Sequence, residues 1–421
     1  PSPPAPNAKA DAPAGEGRGV WGVRFAGCRG GGHRGRGRAN RGRIVPRDPL
    51  PVSAAGQNQR CGDATNLYRA VSFTRPAPLI TDPAHPQGQR PADPPSLLLF
   101  APGGTEFRGQ RCHRVDPGPG EVAVTVQASG INPSDVKIRS GARGPMAVAL
   151  QIPHSDGAGV IKAVGEGVDP ARLGERVWLY QAAFQREGGS CAEVCVLPAE
   201  RAVPLPDQIA INAGAALGIP AMTAHRALFC TGGVAGKTVL VTGGAGAVGH
   251  SAIQLARWAG AETVITTVSS AAKAAIAMEA GADHVINYRQ QDVVEAVRAV
   301  TGDAGVDHIV EVELGANIAQ STALIAEHGT IAWYGSEAMR EPMLAAYPLM
   351  FRNVTLHGIF LYALDRSQLA AAASDITSAL EAGHLQPRID SVWPLEETVK
   401  AHERVESGER TGAVIVQPGG G

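Results

Sequence analysis

The sequence predicts an α/β protein with a doubly wound parallel sheet and a second, β-rich domain formed by both ends of the folded region. Strands and helices alternate from about residue 220 to residue 382, which indicates a parallel sheet with helices on both faces. Short strands broken by glycine turns precede this region, as in a small barrel or folded sheet. An alternating segment at 412–416 is placed to return to the first domain, which would make the parallel-sheet domain an insertion.

Apolar periodicity gives the individual elements. In the first region it predicts strands at 67–73, 97–100, 121–128, 159–164, 176–180 and 190–198. In the second region, predicted strands at 238–242, 263–268, 284–287, 308–312, 330–334 and 355–361 alternate with predicted helices at 247–259, 271–280, 291–301, 318–326 and 367–382. We predict the domains as residues 66–219 together with 352–418, and residues 220–351.

Residues 1–62 differ from the rest of the 421-residue chain. They carry 11 basic and 3 acidic residues, whereas the net charge of the whole chain is −1. Their mixture of Pro, Ala, Gly and Arg has no periodicity and predicts a disordered tail. Two interpretations of its Arg/Gly-rich stretch at 29–43 stay open: an arm that binds RNA, or upstream sequence translated beyond the true start, because Met146 is the first methionine. We favour the second, under which the tail is not native and nucleic acid is not a partner.

The remaining composition favours a cytoplasmic protein. Six cysteines are thinly spread over the chain, which is typical of a reducing compartment rather than a disulfide scaffold. No apolar run approaches the roughly 18 residues that a membrane span needs. No apolar segment of secretory type lies near the N-terminus.

A glycine loop follows the strand predicted at 238–242. The loop, 243–249 (GGAGAVG), leads directly into a predicted helix. An absent Cβ at Gly246 lets the backbone approach a pyrophosphate, and Gly249 lets the helix pack closely on its strand. The start of the helix presents free N–H groups and a partial positive charge to the phosphates. Strand, loop and helix together predict a Rossmann dinucleotide site.

The next strand decides between the two nicotinamide dinucleotides. An NAD site usually carries an acidic residue at the end of this strand to bind the ribose hydroxyls. Here the strand ends in 267–270 (TVSS), without an acid, and Lys273 follows. Hydroxyls and a lysine suit a ribose 2′-phosphate, so the sequence predicts NADPH as the cofactor.

Several ordered motifs extend this interpretation to most of the chain. They are 130–141 (GINPSDVKIRSG), 155–160 (SDGAGV), 174–177 (GERV), 218–220 (GIP), 223–228 (TAHRAL), 281–288 (GADHVINY) and 411–412 (TG). With them, residues 97–418 resemble the quinone oxidoreductase, or zeta-crystallin-like, branch of the medium-chain dehydrogenase/reductase superfamily.

The resemblance implies a GroES-like catalytic domain with the Rossmann domain inserted in it, and a homodimer or homotetramer. It implies that Asn132 and Thr223 approach the nicotinamide. The full set of implied cofactor contacts is Thr223, Gly243, Gly246, Ala247, Val248, Gly249, Ser269, Lys273, Tyr288, Asn317, Gly335, Ser336, Phe360 and Leu361. The chain departs from the family at Lys137 and His225, where Tyr is frequent, and at His154, where Gly is frequent, so the substrate and the roles of these residues stay open.

Zinc alcohol dehydrogenases of this superfamily bind the metal through Cys, His and Glu or Cys. Here the Cys position is Asn132, and the usual His-Glu pair is Ser155-Asp156. These groups are poor zinc donors, so we expect no metal. Cys191 and Cys195 share one face of a predicted strand, which is typical of packing residues.

Without a metal, hydride passes from NADPH to an electrophilic acceptor, and the oxygen of the acceptor needs a donor as charge develops. The candidates are Lys137 and Tyr180, with Asn132 contributing. Three further hypotheses stay open beside quinone reduction. The first is reduction of an enone or alkenal double bond, the second an RNA-binding protein modulated by NADPH, and the third an NADPH-binding protein without turnover.

Overall fold

The computed structural model describes residues 96–99, 108–111, 116–142 and 151–419. The strands of these residues, β1 to β15 in chain order, are Ser96–Leu99, Arg108–Arg111, Glu121–Ile131, Asp156–Val164, Arg176–Leu179, Val194–Pro198, Ala202–Pro204, Thr238–Val241, Thr263–Val268, His284–Asn287, Val306–Glu311, Ile325–Trp333, Thr355–Gly358, Ile389–Pro394 and Ala413–Gln417. The helices, α1 to α10, are Pro133–Arg139, Ile211–Gly214, Gly218–Phe229, Ala247–Trp258, Ala271–Glu279, Val293–Thr301, Leu314–Leu324, Ala346–Phe351, Arg366–Glu381 and Thr398–Glu406.

Six strands form a parallel sheet in the order β10-β9-β8-β11-β12-β13. Every neighbouring pair in it is parallel. The chain builds outward from β8 through β9 to β10, then crosses back and builds the other half from β11 to β13. This reversal opens a crevice between the carboxyl ends of β8 and β11, which is where doubly wound sheets bind their ligands. The predicted parallel sheet is confirmed.

The second sheet has seven strands, six of them in the order β14-β15-β3-β4-β5-β7, with β6 paired to β3. The last strand, β15, runs antiparallel to β3, and Val414 lies opposite Ile131. The C-terminal strand therefore completes a sheet that the first part of the chain begins. The predicted insertion of one domain into the other is confirmed, while the exact boundaries at 66–219, 220–351 and 352–418 stay predictions.

Helix α3 joins the two domains. Its residues Ala221, Met222 and Ala224 are fully buried, and they belong to a hydrophobic cluster that includes Trp178 of one sheet and Val239 of the other. Burial of apolar area on both sides of one helix stabilises the two sheets against each other. Helix α3 therefore packs the two sheets into one hydrophobic core.

Several predicted elements have wrong boundaries; the strand predicted at 330–334, for example, is β12, which begins at Ile325. Two cases show the physical reason. The helix predicted at 318–326 is α7, which begins at Leu314 and ends at Leu324. Gly315 disfavours a helix start in the sequence, but a Cβ there would lie 2.2 Å from the Met339 carbonyl oxygen, so close packing requires the glycine. The strand predicted at 355–361 ends at Gly358, and Leu361–Ala363 form a 3-10 turn instead.

The predictions for the first hundred residues concern segments that the structure describes only in part. The tail at 1–62 and the strand at 67–73 lie outside the described residues. The apolar run at 97–100 corresponds to β1, which pairs with β2 in a two-stranded antiparallel sheet. In the described ranges, every helix is too short or too polar to cross a bilayer.

Candidate active site

The glycine loop connects β8 to α4 at the crevice. Gly246 is the N-cap of α4 and has no side chain to cap the helix. The first bond of the helix is donated by the His250 N–H to the Gly246 carbonyl, at 2.8 Å. The N–H groups of the first turn precede this bond and have no partner within a regular helix. They form a site for an anion at the carboxyl end of β8.

The space around this loop tests whether it fits a diphosphate. A Cβ at Gly249 would lie 2.3 Å from the Gly243 carbonyl oxygen, and a Cβ at Gly244 would lie 2.1 Å from the Thr266 hydroxyl. Both glycines are therefore required for packing. A Cβ at Gly246 would approach only the Gly243 carbonyl, at 3.3 Å. The loop is thus tightly packed beneath and open above Gly246, as a phosphate cradle requires.

The predicted ribose-phosphate contacts meet at the ends of two neighbouring strands. Val268 and Asn287 are paired at the ends of β9 and β10, so Ser269 and Tyr288, which follow them, leave the sheet side by side. The Tyr288 N–H donates to the Val268 carbonyl at 3.1 Å. Lys273 lies in the first turn of α5 and is half-buried. This edge of the sheet therefore offers two hydroxyls and one ammonium group.

The other predicted cofactor contacts follow the ends of β12 and β13, or lie in α3 and α7. Some of their polar groups already have protein partners. The Asn317 amide donates to Glu311, at 2.8 Å, and the Ser336 hydroxyl donates to the Met339 carbonyl, at 2.6 Å. Phe360 is 52% exposed, whereas Leu361 is buried. Gly335 passes close to β11, because a Cβ there would lie 2.2 Å from the Val312 carbonyl oxygen.

Across the cleft, Asp156 organises the floor of the catalytic domain. Its carboxylate accepts the Asn132 side-chain amide at 2.7 Å and the Ile219 N–H at 2.9 Å. Burial raises the pKa of Asp156 well above its usual range, and Asp135 raises it further, while both hydrogen bonds oppose the shift. Asp156 caps α3 and holds Asn132, and it therefore positions Thr223 one turn further along α3. From the sequence, Asp156 was expected only as a departure from a zinc-ligand pair, and its positioning role was not predicted.

Lys137 spans the two domains. On α1 its ammonium group lies 2.5 Å from a carboxylate oxygen of Glu337, which belongs to the loop after β12. This hydrogen bond lowers the pKa of Glu337. Ser134, three residues earlier on the same helix face, lies near Tyr362. This face of α1 therefore looks towards the Rossmann domain, and Lys137 stands at the edge of the cleft.

The structure counts against the predicted role of Tyr180. Its side chain is 4% exposed and packs beside Trp178, two residues earlier in the chain. Its hydroxyl donates to the Glu200 carbonyl at 3.0 Å. Period-two alternation points both aromatic rings into the core, and the phenol already has a backbone partner. We therefore correct the expectation that Tyr180 donates to the acceptor.

The two unusual histidines have structural partners. His154 has a φ of +72°, in the left-handed region that favours glycine. Its Nδ1 lies 2.9 Å from the Ser129 hydroxyl and its Nε2 lies 2.9 Å from His402 Nε2. Complete burial lowers the pKa of His154 to about 3, so the ring is neutral. His225 pairs with Asp375 of α9, at 2.8 Å.

Sequence reasoning missed one cleft residue, Tyr362. It lies in the turn after β13, directly after two predicted cofactor contacts. Its ring stacks on Phe184 with centroids 4.4 Å apart, and its hydroxyl lies 3.4 Å from the Ser134 hydroxyl. Its position next to Phe360 and Leu361 could have pointed to Tyr362 as a site residue. The sequence predicted a strand there, however, and not the Leu361–Ala363 turn that carries the Tyr362 side chain.

Comparisons with known proteins agree with this architecture. Residues 118–207 match the alcohol dehydrogenase GroES-like domain, and residues 247–378 match the zinc-binding dehydrogenase domain. The chain is 31% identical to the quinone oxidoreductases of Rattus norvegicus and Homo sapiens over 325 residues, which is 76% of this chain and 97% of each relative. The structure of the Escherichia coli quinone oxidoreductase complexed with NADPH aligns with a TM-score of 0.67 and 28% identity, covering 77% of this chain and 100% of that one.

A Rossmann sheet inserted in a GroES-like domain defines an oxidoreductase of the medium-chain dehydrogenase/reductase class. Within that superfamily, the chain belongs to the quinone oxidoreductase family. The predicted family and fold are confirmed.

Proposed function

We propose that this protein transfers a hydride from NADPH to a quinone without zinc. The observation that carries the proposal is the uncapped start of α4 over an open glycine cradle, in a chain whose second sheet presents the Asn132–Asp156 pair. Quinone oxidoreductase relatives, one of them solved with NADPH, support the same activity. Bound NADPH supplies the hydride and its electron pair.

The protein residues hold the cofactor in an extended groove. Gly243, Ala247, Val248 and Gly249 surround the diphosphate together with Gly246. Ser269, Lys273 and Tyr288 bind the 2′-phosphate, because an ammonium group and hydroxyls favour a phosphate over a free ribose. Thr223, Asn317, Gly335, Ser336, Phe360 and Leu361 complete the nicotinamide side.

On the catalytic side, Asn132 and Lys137 orient the acceptor. Negative charge grows on the quinone oxygen during hydride transfer, and fixed hydrogen-bond donors in a partly dry cleft stabilise it. Asp156 is a positioning residue, since both its oxygens already accept hydrogen bonds from Asn132 and Ile219. Lys137 must exchange Glu337 for the acceptor, so it acts at the edge of the site.

The absence of zinc follows from donor chemistry. An amide such as Asn132 is not among the thiolate, imidazole and carboxylate groups that zinc prefers. The Asp156 carboxylate is committed to an amide and a helix N-terminus. The nearest imidazole, His154, is hydrogen-bonded at both nitrogens. No set of three zinc donors with free lone pairs therefore faces this floor among the described residues.

The protein also has a surface suited to a second copy of itself. Helix α8 and the loop before it expose Met343, Met350 and Phe351, which are 91%, 56% and 71% exposed. Helix α8 directly precedes β13 in the chain, and β13 is the strand at one edge of the parallel sheet. Apolar exposure next to an open strand edge marks an association surface. We propose a homodimer that pairs these faces by two-fold symmetry.

The direct test follows NADPH absorbance with 1,4-benzoquinone as acceptor. The purified protein should oxidise NADPH with saturation in both substrates, and NADH much more slowly. A chelator should leave the rate unchanged. Reduction of enones such as 2-cyclohexenone, but of no quinone, would replace the proposal with double-bond reduction.

A further inference from the structure

Three segments of the chain meet at the ring of Tyr362. The ring belongs to the Leu361–Ala363 turn after β13. It stacks on Phe184, with centroids 4.4 Å apart and an interplanar angle of 26°, and Phe360 meets its edge at 5.5 Å. The Gln181 amide donates to the Leu361 carbonyl at 3.1 Å, which anchors the loop of Phe184 to the turn of Tyr362. The aromatic wall is therefore held in place from both sides.

The hydroxyl of Tyr362 reaches the catalytic floor. It donates to the Ser134 hydroxyl at 3.4 Å and also hydrogen-bonds Ser155. Ser155 directly precedes Asp156 in the chain, and Ser134 follows Asn132 with only Pro133 between them. The phenol therefore approaches the same floor that the Asn132–Asp156 pair organises. A bond of 3.4 Å is long for two hydroxyls, and it leaves the phenol free to turn to a closer acceptor.

The other donors near this floor each have one protein partner and keep further N–H groups for the acceptor. The Asn132 amide donates to Asp156, and the Lys137 ammonium group pairs with Glu337. The partners of Tyr362 are serine hydroxyls, which can rotate and serve as donors or acceptors. Burial raises the pKa of Tyr362, with Asp135 and Asp156 adding to the shift, so the phenol keeps its proton at neutral pH and acts as a donor.

We propose that Tyr362 is a further catalytic residue, which donates a hydrogen bond to the quinone oxygen that becomes negative as hydride arrives. Phe184 and the Tyr362 ring form the wall against which the flat acceptor lies. This inference rests on the proposed function. It requires no proton transfer from the phenol, because the product oxygen takes its final proton from water.

The principal variant is Tyr362→Phe, which keeps the ring and removes the hydroxyl. We expect kcat with 1,4-benzoquinone to fall roughly 10-fold to 100-fold, the size expected for losing one hydrogen bond to a group that becomes charged. KM should change much less than kcat. The primary deuterium isotope effect with NADPH deuterated at the transferred position should rise, because hydride transfer becomes the slow step. A purely structural role for the hydroxyl would not move that isotope effect.

Two further variants keep the test decisive. Tyr347→Phe removes a hydroxyl from an exposed tyrosine of α8 and should retain the parent kcat and isotope effect. Phe184→Leu removes half of the stack, and it should raise KM for 1,4-naphthoquinone more than KM for NADPH. Thermal melting of each variant checks that the fold is intact.

The outcomes separate the two proposals. If the parent protein oxidises NADPH with quinones and Tyr362→Phe matches it in kcat and isotope effect, the role of Tyr362 is wrong and the proposed function stands. A change confined to NADPH affinity would make the phenol a cofactor contact and also overturn the inference. If the parent protein reduces no quinone, both proposals fall.

Discussion

The substitution Lys273→Glu tests the 2′-phosphate site most directly. Lys273 offers the ammonium group of this strand edge, and Ser269 and Tyr288 remain in the variant. A charge-assisted hydrogen bond is worth about 1.5–3 kcal/mol, and we take the lower half of that range because Lys273 is only half-buried. That corresponds to about tenfold in the preference for NADPH over NADH, and repulsion between Glu and the phosphate increases the loss. Fold stability should not fall, since an acidic residue in the first turn of α5 favours the helix.

The assay compares kcat/KM for NADPH with that for NADH, using 1,4-benzoquinone at a fixed concentration. Lys273→Gln should lose part of the preference and Lys273→Glu more. Lys162→Glu is the matched control, because this exposed lysine lies on β4 of the other sheet and reverses the same charge far from the strand edge. An unchanged cofactor ratio in Lys273→Glu would mean that the phosphate site lies elsewhere.

Three further predictions concern stability and assembly. Asp156→Ala should lower the free energy of unfolding by about 2–5 kcal/mol, because it leaves the Ile219 N–H and the Asn132 amide without an acceptor in a buried site. A urea midpoint equal to that of the parent protein would contradict this prediction. The pKa of His154 is about 3 in the folded protein, below its value in the unfolded chain. The unfolded chain therefore binds the proton first, and the free energy of unfolding decreases as the pH falls below about 6.5, by up to about 1.4 kcal/mol per pH unit. His154→Gly, which suits the positive φ, should flatten that slope in urea titrations at pH 4.5–6, and equal slopes would refute it. Phe351→Glu should convert the proposed dimer to a monomer in light scattering, while a monomeric parent protein would exclude the dimer.

Local signals in the sequence account for the cofactor half of the site. The loop at 243–249 works through contacts within a few residues, such as Gly249 against Gly243, and these follow from the strand, the turn and the helix alone. The pairing of Ser269 and Tyr288 follows from parallel-sheet topology. The acceptor half depends on contacts between residues far apart in the chain. Tyr180 and Tyr362 illustrate this, because the sequence favoured the first and the packing aims only the second across the cleft.

The sequence by itself determined the Rossmann site, because hydrophobic periodicity and glycine spacing are local properties. The class of protein came from the resemblance of its ordered motifs to a known superfamily, which the relatives at 31% identity confirm. Only the tertiary structure decided which polar groups remain available at the cleft. It joined Lys137 to Glu337, hydrogen-bonded Asp156 to Asn132, and brought the Tyr362 hydroxyl to Ser134 while the Tyr180 hydroxyl donates to Glu200. The physical reason is that the availability of a donor depends on burial and on its partners, and these are set when distant segments pack around α3.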